Sequence, residues 1–221
     1  MNILIADDHP MFRVALRYVL TSHRTHFRIT EVSSQGALEA AILGEEFDLA
    51  LVDLMMPGAT GFSSLVYLRC ERPELPVIVI SSAEDPRTLR RAQQFGASAF
   101  VPKSASPEQM NQVVDAVLEG GNWFPLQKAE PSETDALLAR KLAELTPQQL
   151  RVLLRIADGL LNKQVAVDLS ISENTVKIHV SAILKKLNCN SRTQAALLLK
   201  TIALDGASLH DEDPQKPKLP F

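Results

Sequence analysis

Apolar positions follow two different patterns along the chain. In the first half, short apolar runs alternate with longer stretches of helical spacing. The runs are Ile3-Leu4-Ile5-Ala6, Phe27 to Val32, Leu49-Ala50-Leu51-Val52, Val77-Ile78-Val79-Ile80 and Ala99-Phe100-Val101. Continuous runs of this length are the mark of strands buried on both faces. The amphipathic stretches are Pro10 to Leu20, Gln35 to Leu43, Phe62 to Arg72, Pro86 to Phe95 and Pro107 to Leu118. Pro10, Pro86 and Pro107 stand where a helix begins, a position at which the missing N–H is not needed. This alternation predicts a doubly wound α/β domain over residues 1–121, flavodoxin-like, with five parallel strands.

The pattern then changes. Gly120-Gly121-Asn122, Pro125 and Pro131 mark a linker over 122–144, and helical spacing from Ser132 to Leu145 (Leu138, Leu142, Leu145) makes it partly helical. Residues 145–204 carry only helix signals, with breaks near Gly159, Ile171 and Asn188. A small all-α domain of about four helices is expected there. Residues 205–221, with three prolines and mixed charge, read as a disordered tail.

Composition and charge add a compartment and a partner class. With 46% hydrophobic and 22% charged residues, the chain is neither disordered nor fibrous. Its richest apolar stretch, Phe47 to Met56, is broken by Asp48 and Asp53, well short of the roughly 18 apolar residues of a membrane helix. Asp7 and Asp8 fall where a secretory signal would be apolar. Cys70 and Cys189 are far apart and neither belongs to a CxxC pair. A disulfide framework or zinc site is not expected, and a cytoplasmic protein with no membrane partner is. Charge is unevenly spread: residues 1–125 hold ten Lys and Arg against fifteen Asp and Glu, whereas 140–204 hold ten against four, a net +6. A polyanion is a natural partner for the second segment.

In an open α/β sheet, ligands bind beyond the carboxyl ends of the strands. Those ends carry Asp7 and Asp8 after the first strand, Asp53 after the third, Ser81 after the fourth and Lys103 after the fifth. Three close carboxylates repel one another unless a cation joins them, and an all-oxygen set suits Mg²⁺. A carboxylate can also attack a phosphoryl group. A lone acid at a strand end often only caps the next helix, as Asp8 could for the helix at Pro10. Five converging groups are poorly explained that way. His9, next to a proline in the same loop, reads as a loop or cap residue.

Together with Asp53-Leu54-Met55-Met56-Pro57-Gly58, Gly61 and Phe100, these residues resemble the receiver domain of two-component response regulators. The resemblance implies that Asp53 accepts a phosphoryl group from a histidine kinase. It implies that Asp8 and Asp53 hold Mg²⁺ with the Met55 backbone carbonyl, Asp7 acting through water. Lys103 would pair with the phosphoryl oxygens, and Ser81 and Phe100 would reorient with them. The lysine departs from the common Lys-Pro pair, being preceded by Pro102 and followed by Ser104.

In the basic segment, Thr146-Pro147 starts a helix and Gly159 ends it; Asn162 to Leu169 forms a second, and Ser172 caps a third at Glu173. This is a helix-turn-helix, whose second member enters the major groove. At about 100° per residue, Val176, Val180, Ile183 and Leu187 form the core stripe of the third helix. Asn174, Ile178, Ser181 and Lys185 lie opposite, with Lys177 on the flank and His179 beside the core. Lys177, Lys185 and Lys186 alone would suggest a solvated face, but the net charge of the segment favours DNA, and Ile178 could meet a thymine methyl.

The segment resembles the LuxR-type helix-turn-helix through Asn162-Lys163, Glu173-Asn174-Thr175-Val176-Lys177 and Lys186-Leu187 to Arg192-Thr193-Gln194-Ala195. Joined to a receiver, it is similar to NarL/FixJ-type response regulators. The resemblance implies Lys177, Ile178 and Ser181 at base edges and Thr175, Lys163 and Arg192 near phosphates, with Asn162, Asn174 and Lys185 on the same face. Gln148-Gln149 replaces the usual charged pair, and Ser181 is short for its position. In the last helix, Arg192 to Leu204, residues Ala195, Leu198, Leu199 and Ile202 face inward. Leu197 and Thr201 face outward for a second copy, so a homodimer on an inverted repeat of double-stranded DNA is expected. An aspartyl-phosphate phosphatase would want a second acid two residues after Asp53, where Met55 stands, so an enzyme is not expected. A receiver that is never phosphorylated is the other alternative, and the complete pocket argues against it.

Overall fold

The computed structural model describes residues 1–22, 26–125 and 132–202. The first part runs β1 (Asn2–Ala6), α1 (Pro10–Ser22), β2 (Arg28–Val32), α2 (Gln35–Gly44), β3 (Leu49–Asp53), α3 (Ser63–Glu71), β4 (Val77–Ser81), α4 (Pro86–Gln94), β5 (Ala99–Pro102) and α5 (Pro107–Leu118). The sheet is parallel throughout, in the order β2-β1-β3-β4-β5. Strand order reverses between β1 and β3, which opens a crevice at their carboxyl ends. Strand side chains alternate between two layers. Ile3, Ile5, Leu51, Ile78 and Ile80 pack with Leu16 and Leu20 of α1 and Val113 and Val117 of α5. Leu4, Val52, Val79 and Phe100 pack with Leu38 of α2, Leu65 of α3 and Leu89 of α4.

The helices continue as α6 (Glu133–Ala143), α7 (Pro147–Ala157), α8 (Asn162–Asp168), α9 (Glu173–Leu187) and α10 (Arg192–Lys200). Gln149, read above only as a departure from pattern, completes a capping box. Its amide donates to Thr146 Oγ1 at 3.3 Å, and its own Oε1 accepts from the Thr146 amide at 3.0 Å. Gly159, at φ +86°, supplies the left-handed residue that ends α7. Asn188 does the same for α9 at φ 55°. Leu204 and the 205–221 tail lie outside the described residues.

Two elements differ from the sequence reading for reasons of pairing. β2 starts at Arg28 rather than Phe27, because its register with β1 begins at Asn2 opposite Arg28; Phe27 instead packs on the α1–α5 layer. Trp123, expected at the start of a linker, bridges to Ala99, and its carbonyl accepts from the Phe100 amide at 3.0 Å. The segment after α5 is thus tied to the β5 edge.

The helical part is docked on the α2–α3–α4 face, and the apolar cluster of that face runs unbroken into the interior of α7, α9 and α10. Polar contacts frame the seam. Arg155 of α7 pairs with Glu39 of α2, and Arg91 of α4 pairs with Asp135 of α6. The Phe62 amide donates to the Ile202 carbonyl just beyond α10, at 3.2 Å. Cys70 Sγ lies 3.2 Å from the Leu145 carbonyl.

Candidate functional site

Asp7, Asp8, Asp53 and Lys103 meet at the carboxyl ends of β1, β3 and β5. Lys103 Nζ lies 2.7 Å from Asp53 Oδ2 and 2.7 Å from Asp7 Oδ2. Asp7 Oδ1 accepts from the His9 amide at 2.7 Å, so it is Asp7 rather than Asp8 that orders the loop into α1. His9 does serve that turn, since its carbonyl accepts from the Phe12 and Arg13 amides. The structure adds a contact that the sequence did not suggest: His9 Nδ1 sits 2.6 Å from Asp8 Oδ1.

One ammonium thus serves a pocket of three carboxylates. Burial pushes the Asp53 carboxyl above its ordinary pKa; Lys103 pulls it back, and the Asp7 charge adds to the rise. Burial works against the Lys103 ammonium, but its bonds to Asp53 and Asp7 overcome this and hold its pKa above the ordinary value. Asp53 Oδ1 is buried with no hydrogen-bond partner. One ligand atom from each of Asp7, Asp8, His9 and Asp53 lies within 4.8 Å of the others. An unsatisfied carboxylate oxygen among further carboxylates fits a small divalent cation, and hard oxygen donors favour Mg²⁺. Met55, two residues after Asp53, is 45% exposed at the rim.

Ser81 and Phe100 sit deeper. Both are buried, on the sheet face that carries α2, α3 and α4. Ser81 Oγ accepts from the Ala83 amide at 3.1 Å, whereas Ser82 is exposed and lines a shallow cavity with His9, Phe12 and Lys103.

In the helical part, α9 turns Val176, Ile183 and Leu187 inward. Ile178 is 61% exposed, and Asn174, Lys177, Ser181 and Lys185 are exposed beside it. Lys177 pairs with Glu173 one turn back at 3.0 Å. Ser181 Oγ donates to the Lys177 carbonyl at 3.1 Å, which occupies the hydroxyl locally. Thr175 is tied to the Ser172 cap by its amide, and the two hydroxyls lie 2.8 Å apart. Lys163 is exposed on α8. Arg192 is braced inside the fold, donating to the Leu160 carbonyl at 2.6 Å and to Asn162 Oδ1 at 3.4 Å. Lys186 is not part of a solvated face: its Nζ donates to the Glu144 carbonyl and Gln149 Oε1, each at 2.8 Å.

Residues 3–115 match the family model for the response regulator receiver domain, and residues 143–199 match that for bacterial regulatory proteins of the luxR family. The chain belongs to the LuxR-type response regulators. This response regulator is 40% identical over 206 residues to the glycerol metabolism activator of Pseudomonas putida, covering 89% of its own length and 93% of that protein. It is 32% identical over 203 residues to the nitrate/nitrite response regulator NarL of Escherichia coli K12, covering 89% and 93%. Among solved structures, it is similar to RcsB from Salmonella enterica serovar Typhimurium bound to promoter P1flhDC in the presence of a phosphomimetic. That TM-score is 0.54 at 23% identity, with 92% of this chain and 99% of that one covered.

Sequence reasoning missed the residues that join the two parts. Gln35, Glu39, Arg91 and Arg155 carry no motif, and Glu39 and Arg155 are 116 positions apart. Arginines on α4 (Arg87, Arg90, Arg91) and α7 (Arg151, Arg155) were the available signal, and nothing in the sequence picks Arg91 and Arg155 from among them.

Proposed function

We propose that this response regulator is a phosphorylation-switched transcription regulator in the cytoplasm. Residues 1–121 form the receiver, 122–144 the linker and 145–204 the DNA-binding domain. The observation that carries this reading is a buried aspartate, held by a lysine beside two further carboxylates, in one chain with a basic helix-turn-helix. Asp53 attacks the phosphorus of a phosphohistidine on a sensor kinase. The O–P bond forms as the P–N bond breaks, and the imidazole nitrogen takes the electron pair and a proton. Lys103 moves from the carboxylates to the incoming phosphoryl oxygens. Asp8 and Asp53, with the Met55 carbonyl and with Asp7 through water, would hold Mg²⁺. That ion would neutralise the negative charge of carboxylates and phosphoryl group alike. Ser81 leaves the Ala83 amide to bond the phosphoryl group, and Phe100 shifts with it.

On DNA, Lys177, Ile178 and Ser181 meet base edges, with Asn174 and Lys185 flanking them. Lys163 and Thr175 meet phosphates, and Arg192 braces Asn162 on the same face. Two copies, paired through the Leu197 and Thr201 face of α10, read an inverted repeat. Incubation with acetyl phosphate and Mg²⁺ should add one phosphoryl mass to the intact protein, and none to Asp53→Asn or in EDTA. Undiminished labelling of Asp53→Asn would overturn the assignment.

A further inference from the structure

A chain of buried contacts leads from the loop after Asp53 to the DNA-binding domain. The Pro57 carbonyl, four residues past Asp53, accepts from the Gln35 amide at 3.0 Å. Gln35 is buried at the first position of α2. Its side chain accepts from Ser64 Oγ at 2.7 Å and donates to Glu39 Oε1 at 3.0 Å. Glu39 in turn takes both terminal nitrogens of Arg155 on α7, Nη1 to Oε1 at 3.0 Å and Nη2 to Oε2 at 2.7 Å. Gly58, in the left-handed region at φ +77°, turns the loop back so that its backbone lies against the Gln35 side chain. The path runs from Asp53 along the α2–α3–α4 face of the sheet toward α2, whereas Ser81, Phe100 and α4 lie toward the β4–β5 edge of the same face.

A bidentate carboxylate–guanidinium pair between two bodies has two properties of a latch. Its geometry is narrow, so a small rotation of Glu39 costs one of two parallel bonds. It is also largely desolvated, so a half-broken pair is worse than one released to water. Gln35 sets the Glu39 rotamer, and the Pro57 carbonyl and Ser64 hydroxyl set Gln35. A phosphoryl group on Asp53 adds bulk and charge to the loop on which Pro57 sits.

We infer that Glu39 and Arg155 form an interdomain latch whose hold is set by the phosphoacceptor loop through Gln35. Phosphorylation of Asp53 shifts the Met55-Met56-Pro57 backbone, withdraws the Pro57 carbonyl from Gln35, and frees Glu39 from its bidentate register. The DNA-binding domain then leaves the α2–α3 face. The wiring rests on Asp53 being the phosphoacceptor; the latch itself does not.

The test uses the full chain and reads the seam through Cys70, whose thiol lies against Leu145 between the two bodies. Without phosphodonor, Arg155→Gln leaves the buried Glu39 carboxylate without its counter-charge. Glu39→Gln leaves Arg155 only the half-exposed Asp168, 2.7 Å from its Nε on its own body. Each should speed Cys70 alkylation by iodoacetamide roughly tenfold or more. Peptide mass mapping separates Cys70 from Cys189. The double variant should be no more open than either single one, as expected for one shared contact. Circular dichroism and an unchanged Cys189 rate establish that the variants are folded. An unchanged Cys70 rate in both folded variants overturns the latch. In the second arm, acetyl phosphate and Mg²⁺ should speed Cys70 alkylation of the wild type. In Gln35→Ala, the same phosphodonor treatment should change the rate little. Labelled wild type with an unchanged thiol rate, or an equal response in Gln35→Ala, overturns the wiring. Absence of any label on Asp53 overturns both the phosphoacceptor reading and the wiring, while the first arm still judges the latch.

Discussion

Removing the charge of Arg91 should undock the DNA-binding domain without unfolding the receiver. Arg91 is 3% exposed. Its Nε donates to Asp135 Oδ1 at 3.1 Å, and its Nη2 donates to the Thr201 carbonyl at the end of α10. The guanidinium carbon lies 5.7 Å and 5.9 Å from the Phe62 and Phe95 ring centres. Arg91→Met keeps an apolar stem against both rings, so the receiver retains that packing. What is lost spans the seam. In the docked state Asp135 keeps its burial without a counter-charge, and the Thr201 carbonyl loses a charged donor. In the undocked state both groups return to water at no cost. Breaking a buried ion pair from one side costs about 4 kcal/mol, which lowers the docked-to-undocked ratio roughly a thousandfold. The Phe62 amide reports this directly, because its acceptor is the Ile202 carbonyl on the other body. Hydrogen exchange should show Phe62 losing protection in Arg91→Met, while amides of β1, β3 and β4 keep theirs. Protection of Phe62 unchanged within a factor of about three would refute the reasoning. Loss of protection throughout the sheet would refute it too, by placing Arg91 in the receiver's own stability.

Three further outcomes are expected. Lys177→Ala should weaken specific DNA binding much more than non-specific binding, whereas Lys163→Ala should weaken both and reduce the salt slope by about one; competition titrations across salt concentrations distinguish them. Met55→Asn should speed dephosphorylation of the isolated receiver, because an amide at the exposed rim can orient a water that a thioether cannot; an unchanged decay in an intact-mass time course would remove that role from Met55. Burial, reinforced by Glu71, pushes the Cys70 thiol up to about 11. At pH 8 only roughly one part in a thousand is then thiolate, so alkylation should rise about tenfold per pH unit up to that value. A rate that levels off near pH 8.5 would show the thiol to be already exposed to solvent.

Much of the molecule was legible along the chain, because its signals are local or periodic. Continuous apolar runs required a sheet covered on both sides, and prolines and hydroxyl caps marked the helix starts. The strand-end acids could be assembled from sequence alone, since in a parallel sheet every carboxyl end opens on the same edge. The outward face of α9 followed from the helical period, and Ile178 is exposed as that period demands. Side-chain partners were less legible. Lys186 was grouped with Lys177 and Lys185 as a basic surface favouring DNA, yet two acceptors brought from the start of the helical part, the Glu144 carbonyl and Gln149 Oε1, bind it. The bonds that Arg192 makes to the Leu160 carbonyl and Asn162 were likewise not read from spacing.

What the sequence by itself determined was the two folds, the acidic pocket and the outward face of α9, each set by residues close together or in phase along the chain. What only the tertiary structure decided is how the two parts meet. Glu39 with Arg155, Arg91 with Asp135, and Phe62 with Ile202 join positions that no period or motif relates. Ile202 illustrates the limit: its spacing correctly buries the side chain, but which body holds its carbonyl depends on the docking of one folded surface against another. Such contacts arise only after both surfaces exist, and they depend on shape and charge matching across the seam, which a one-dimensional pattern does not encode.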